Sequence, residues 1–168
     1  MKLSFAAVCA AGVAVFLTSC APAPPPDTHD ADVQAIKDNE AQWNKDFQAK
    51  DVDKLVAHYV DDATVMNPGT PPAVGKEAIR AMLKEMVGDS ALMLGFQTSR
   101  VEVAKSGDLA FTQGSYTMTM TNPATKKPMN DKGSYVTGYR KQADGSWKAV
   151  SDIASSETPP GPPPAKKK

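Results

Sequence analysis

The stretch DKGSYVTGYRKQADGSWKAVSDI, Asp131 to Ile153, places Tyr135, Thr137 and Tyr139 in alternation and ends near an acid, Asp152. A carboxylate beside hydroxyls can take up or release a proton, provided it sits in a pocket and not on a wetted sheet. Asp144-Gly145 reads as a tight turn between two strands. If that turn holds two or four residues, Gln142 pairs with Trp147 and Thr137 lies opposite Asp152. Tyr135, Thr137, Tyr139, Val150 and Asp152 then share one face. Val136, Gly138, Trp147, Ala149, Ser151 and Ile153 share the other. The second set is smaller and more apolar and is assigned to the core. The first is a mixed surface suited to a dimer contact or a pocket rim. Asp152 therefore reads first as a contact residue, then as a ligand contact, and last as a proton acceptor. A three-residue loop with a bulge would mix the two sets.

Other chemistry-bearing residues are sparse. Asp61 and Asp62 follow a short helical stretch, where acids usually cap turns or face water. His58 lies one position off an apolar face and reads as a partly exposed helical histidine. His29 lies far from it in sequence, with no Cys or carboxylate cluster around either, so no metal site is expected. The chain lacks G-x-G-x-x-G, G-x-x-x-x-G-K-[ST] and G-x-S-x-G, so nucleotide binding and serine hydrolysis find no support, and no cofactor is expected. Basic and acidic residues balance at 19 each. The domain itself is mildly acidic once Lys2 and the three terminal lysines are set aside, which argues against a nucleic-acid partner.

The elements that must position these residues follow from periodicity. Val33, Ile36, Trp43 and Phe47 fall on one helical stripe, with Asp30 or Asp32 as cap. Asp51 caps a second helix, VDKLVAHYV, with Leu55, Val56 and Tyr59 on one face. Ala63 to Asn67 reads as a short strand stopped by Pro68-Gly69, TPPAVG as a loop, and Ile79, Met82, Leu83 and Met86 as the stripe of a third helix. From Ala91 the period becomes two, giving strands near 92–105, 109–121, 133–142 and 147–155, with NPATKKPMND as a longer loop. The order α-α-β-α-β-β-β-β indicates an α+β domain, three helices packed on a curved antiparallel sheet.

The ends differ in kind. Residues 1–19 join a positive start to the apolar run LSFAAVCAAGVAVFLT, a secretory signal too short to span a membrane comfortably. It ends in LTSC, which resembles the lipobox of bacterial lipoproteins and implies that Cys20 is lipidated. Cys9 lies inside the signal, so no intramolecular disulfide is expected. Residues 20–29 read as a Pro-rich linker, 30–157 as the domain and 158–168 as a Pro- and Lys-rich tail. The residues after Cys20 resemble those of lipoproteins sent to the outer membrane, which implies an anchored protein on its periplasmic face.

The segments DVDKLVAHYVDDATVMNPGTPPAVGKEAIRAML, GDLAFTQGSYTMTM and GSYVTGYRKQADGSWKAVSDI resemble SnoaL-like, ketosteroid-isomerase-related proteins of the nuclear transport factor 2-like superfamily. The resemblance implies a cone, a bent sheet wrapped over three helices and open at one end. Members isomerise, cyclise or dehydrate small substrates, or only bind or assemble. Fold alone does not choose among these. The isomerase pattern pairs a carboxylate base with a neutral hydroxyl donor in a dry site. The residues that could meet it are Asp152 or Asp62 with Tyr59. The expected pocket walls are Trp43, Phe47, Tyr59, Met66, and Tyr116 or Met118. The numerous methionines either fill a core or form a soft apolar pocket. Three readings result: a binder of a small apolar or amphipathic molecule that pairs with itself through the sheet, an enzyme of the isomerase, cyclase or dehydratase type, and a dimerising adaptor whose cone is filled with side chains.

Overall fold

The computed structural model describes residues 28–158. The lipobox Cys20, the signal segment and most of the linker and tail lie outside the described residues. Nine elements follow in order: α1 (His29–Ala49), α2 (Val52–Ala57), β1 (Tyr59–Met66), β2 (Ala73–Val74), α3 (Lys76–Gly88), β3 (Met93–Val103), β4 (Leu109–Thr121), β5 (Pro128–Lys141) and β6 (Trp147–Ser156). They form three helices and one curved six-stranded sheet of order β2-β1-β6-β5-β4-β3. The α+β architecture is the one expected from the switch of period along the chain. Two details differ. TPPAVG contains β2, a short edge strand paired with β1. The sheet is antiparallel except where β1 runs parallel to β6.

α1 forms because its apolar residues recur on one face, and that face is buried: Ile36 and Trp43 are in the core, with Val33 and Phe47 packed against it. The same stripe carries three buried acids, Asp32, Glu40 and Asp46. Asp32 does not cap the helix through a backbone amide. It receives bonds from Thr28 Oγ1 (2.7 Å) and Trp147 Nε1 (3.1 Å) and pairs with Lys141 Nζ (2.6 Å), fastening the start of α1 to the far ends of β5 and β6. Asp51 does cap α2, accepting from the Lys54 amide at 3.2 Å. α2 ends at Ala57, so Tyr59 opens β1 and does not extend the helix. β4 and β5 remain paired out to Thr121 and Pro128, which leaves only a tight connection where a longer loop was expected.

The sheet bends where backbones approach closely. A Cβ at Gly114 would lie 2.1 Å from the Gln97 carbonyl oxygen, and one at Gly133 would lie 1.9 Å from that of Ser155. Only glycine fits at either point. Gly114 adjoins the irregularity between β3 and β4 at Thr98/Arg100.

The last hairpin carries a second irregularity, and it corrects the expected faces. Thr137 does lie opposite Asp152, but Lys141 and not Gln142 pairs with Trp147, because Gly138 faces Ser151 while Tyr139 faces Ala149. Val150 is the extra residue of a β-bulge. Trp147 and Ala149 thus turn to the same side as Tyr135, Thr137 and Tyr139, and all five are buried. Val136 and Ile153, expected in the core, are 43% and 42% exposed on the outer face. The tyrosine–threonine face is the interior of the cone, not a contact surface.

Candidate functional site

A cavity of about 1080 Å³ opens between the helices and the concave side of the sheet. α1 contributes Glu40, Trp43 and Phe47, β1 contributes Tyr59 and Val65, and Asn67 follows directly after it. α3 contributes Met82, Leu83 and Met86, while β3 to β6 supply Leu94, Phe96, Tyr116, Met118, Tyr135, Thr137 and Asp152. The exposed members, Pro68, Thr70 to Pro72, Glu85, Gly88 and Pro123, form the rim. Buried members, among them Glu40, Trp43, Tyr59 and Thr137, form the floor. Trp43 stands at the centre of an aromatic cluster. Its ring stacks on His58 with centroids 4.7 Å apart and meets Tyr59 and Phe96 edge-on at 5.0 and 6.3 Å.

Alternation along β1 decides which side chains reach the cavity. Val65 and Asn67 do, so the intervening Met66, expected as a wall, faces away. The same strand turns Asp61 and Asp62 to solvent. Asp62 pairs with Arg140 at 3.1 Å on the exterior, which removes it as a candidate for proton transfer in the cavity. Asp61 pairs with Lys76 at 2.9 Å. Trp43, Phe47, Tyr59, Tyr116, Met118 and Asp152 all line the cavity.

Asp152 enters from β6 directly above the bulge. Tyr59 donates to its Oδ2 at 3.0 Å and Thr137 to its Oδ1 at 3.2 Å. No ion pair among the described residues includes it. Burial pushes its carboxyl up to about 6. The two hydroxyl donors oppose that rise, and the neighbouring Glu40 charge adds to it. The Tyr59 hydroxyl is held well above the usual tyrosine range, by burial first and then by the Asp152 charge. Tyr59 therefore stays a neutral donor while Asp152 exchanges its proton near physiological pH.

Glu40 is the residue that reading the sequence missed. It sits on the buried stripe of α1, 3% exposed, and gathers hydroxyls: Tyr139 at 2.5 Å, Thr112 at 2.8 Å, Tyr135 at 3.0 Å and Thr98 at 3.2 Å. The Tyr135 hydroxyl is pushed well above the usual tyrosine range, by burial first and then by the Glu40 charge. The signal was available: Glu40 lies four residues after Ile36 and three before Trp43, an acid on an apolar stripe. A third pair lies nearer the rim, where Tyr116 donates to Asp131 at 2.8 Å. Burial and the Asp131 contact raise Tyr116 to about 12.

His58 is buried, not partly exposed. Its Nδ1 lies 2.8 Å from Asn39 Oδ1 and its Nε2 lies 2.8 Å from Asp46 Oδ2, behind Trp43 and outside the cavity lining. Burial lowers its pKa, opposed by Asp46. Its role is to brace Trp43 and to tie α1 to the end of α2. Among the described residues no group of three or more His, Cys, Asp or Glu side chains converges as a metal site. No described helix is long and apolar enough to cross a membrane.

Residues 41–150 match the family model of the SnoaL-like domain. Among solved structures, a ketosteroid isomerase-like protein from Erwinia carotovora atroseptica is 26% identical over 76% of this chain and 98% of its own, with a TM-score of 0.67. A nuclear transport factor 2-like protein with a cystatin-like fold from Novosphingobium aromaticivorans is 17% identical over 77% of this chain and 84% of its own, with a TM-score of 0.59. A candidate dehydratase of the nuclear transport factor 2-like family from Streptomyces avermitilis is 18% identical over 77% and 98%, with a TM-score of 0.62. No curated protein matches the chain. The match over more than half the chain and the cone of helices on a bent sheet agree: the chain belongs to the SnoaL-like domain family, on a nuclear transport factor 2-like fold.

Proposed function

We propose that this domain receives a small, mostly apolar or amphipathic molecule in its cone, with the polar end of that molecule against Asp152 and Tyr59. One observation carries the reading. A cavity of about 1080 Å³ walled by aromatics and methionines has on its surface a carboxylate bonded only by hydroxyls. Pockets of this build, apolar walls with a few convergent polar groups, are the usual form of small-molecule sites. A cone filled by side chains, the mark of a pure adaptor, is not what the described residues form. Native mass spectrometry of the protein purified from its own envelope tests the reading. A co-purifying small molecule supports it, and a protein that neither retains nor takes up any apolar compound counts against it.

A second reading has its own support. Asp152 with a carboxyl near 6 and a neutral Tyr59 hydroxyl 3.0 Å away meets the demand of an isomerase- or dehydratase-type proton transfer. The names of two structural neighbours, ketosteroid isomerase-like and candidate dehydratase, point in the same direction. In that reading Asp152 takes the proton from carbon and Tyr59 steadies the oxyanion. Solvent deuterium exchange at the α-carbon of an enolisable ketone tests it. Exchange that disappears in Asp152→Asn supports the enzyme, and exchange unchanged in that variant rules it out.

We also propose that acylation of Cys20 holds the domain on the periplasmic face of the outer membrane, which metabolic labelling with a fatty acid, abolished in Cys20→Ser, would support. Self-pairing through the outer sheet face draws on Phe111, Val136 and Ile153, which are 36%, 43% and 42% exposed on neighbouring strands.

A further inference from the structure

The charged residues that line the cavity are all of one sign. Glu40, Glu85, Asp89, Asp131 and Asp152 face it, and no Lys, Arg or His does. None of the five belongs to an ion pair among the described residues, although Asp51, Asp53, Asp61, Asp62, Glu102 and Glu157 on the exterior each hold a Lys or Arg. The cations of this domain are thus spent outside the cone. Asp131, Glu40 and Asp152 are answered by neutral donors only: Asp131 by Tyr116, Ser156 and Thr158, Glu40 by four hydroxyls and Asp152 by two. Asp89 takes bonds from Thr121 and the Ala91 amide, and Lys50 Nζ lies on its backbone carbonyl at 3.0 Å.

Glu40 has its acceptor capacity filled. Asp152 does not. A carboxylate offers about four lone-pair positions, and two of those of Asp152 remain open on a side chain that lines the cavity. Buried negative charge without a counter-ion is costly, and a ligand that brings the counter-ion recovers that cost. The surrounding walls suit the same ligand. Trp43, Phe47, Tyr59, Phe96 and Tyr135 present aromatic rings, which attract an organic cation.

We infer that the cone takes a protonated amine on an apolar body, its ammonium hydrogen-bonded to Asp152, and that it turns away carboxylates and phosphates of the same size. This rests on the pocket reading and narrows it to a charge class. An anion entering the cone would meet five acids and no base, whereas an ammonium exchanges its water for Asp152 and the ring faces.

The test uses three compounds with one tail, decylammonium, decanol and decanoate, each below its micelle concentration, titrated calorimetrically into the purified protein at pH 7.5. Decylammonium binds about tenfold or more tighter than decanol, and decanoate binds weakest. Asp152→Asn brings the ammonium down to the level of decanol. In the unmutated protein, where folding of a variant is not in question, ammonium affinity falls between pH 8 and pH 5 as Asp152 takes up a proton, while decanol affinity stays level. Decanol bound with decanoate equal to or above decylammonium overturns the charge selection and leaves the pocket standing. No binding of any of the three overturns the pocket and this inference with it.

Discussion

Asp32 and Asp152 are both aspartates withdrawn from water inside one small domain, and their surroundings push them in opposite directions. At the closed end of the cone, burial raises Asp32. Lys141, Thr28 and Trp147 more than offset that, so its carboxyl ends below the usual range. At the open end, Asp152 meets two hydroxyls and no cation, and its carboxyl rises to about 6. The first is a fastener and the second is a site. The difference lies in where the fold spends its cations: Lys141 pairs with Asp32 at 2.6 Å, and no base reaches the cavity. A carboxylate that the protein leaves unpaired is one that a ligand can complete.

Removing the fastener has the largest expected effect. Asp32→Ala leaves the Trp147 indole and Lys141 without their acceptor. Because Lys141 is partly exposed, the loss falls below that of a fully buried pair, at about 2–3 kcal/mol of unfolding free energy, read from urea denaturation at pH 7. The sign with pH follows from the lowered pKa: the stabilisation from Asp32 is present above the unfolded value and is lost as pH falls through the folded one.

Asp152 behaves in the reverse manner. Its folded carboxyl near 6 stands above the ordinary aspartate value of 3.8, so the fold binds the additional proton between roughly pH 4 and 6. Stability contributed by the protonated form is complete below that window and is lost as pH rises through it. Allowing for partial exposure, the change is about 2 kcal/mol. Asp152→Asn removes the slope and is neutral or stabilising at pH 7.5, measured as the urea midpoint against pH. A variant that costs as much as Asp32→Ala would dissolve the contrast.

Tyr59→Phe sharpens the comparison at one bond. It removes a donor that favours the ionised carboxylate, so Asp152 titrates higher, at a stability cost of about 1 kcal/mol. Asp62→Ala has the smallest effect. Its pair with Arg140 is exposed, so the change stays within about 0.5 kcal/mol by thermal melting, with ligand binding untouched.

Most of the frame was legible in the sequence because periods of 3.6 and 2 report local burial, and both were long and regular here. The site was less legible, and single residues show why. The Asp152 face was assigned by counting alternation through the last hairpin, and one bulge residue, Val150, inverted one side of that count. Size and polarity then misled: Tyr135, Thr137 and Tyr139 resemble a surface set, yet they are buried because Glu40 and Asp152 satisfy their hydroxyls. Tyr59 and Met66 were misplaced by where α2 ends, since one strand residue more or less decides which side chains reach the interior. Glu40 was passed over because an apolar stripe was sought and its acids were not.

The most direct measurement is a site-resolved titration of the Asp152 carboxyl, by carbon-13 NMR of the side-chain carbon assigned through Asp152→Asn. A midpoint near 6 in the ligand-free protein, moving downward when decylammonium binds, is the predicted result. A midpoint near 4, unmoved by the amine, would mean that Asp152 is an ordinary solvated carboxylate and that the cone offers no unpaired charge to a ligand.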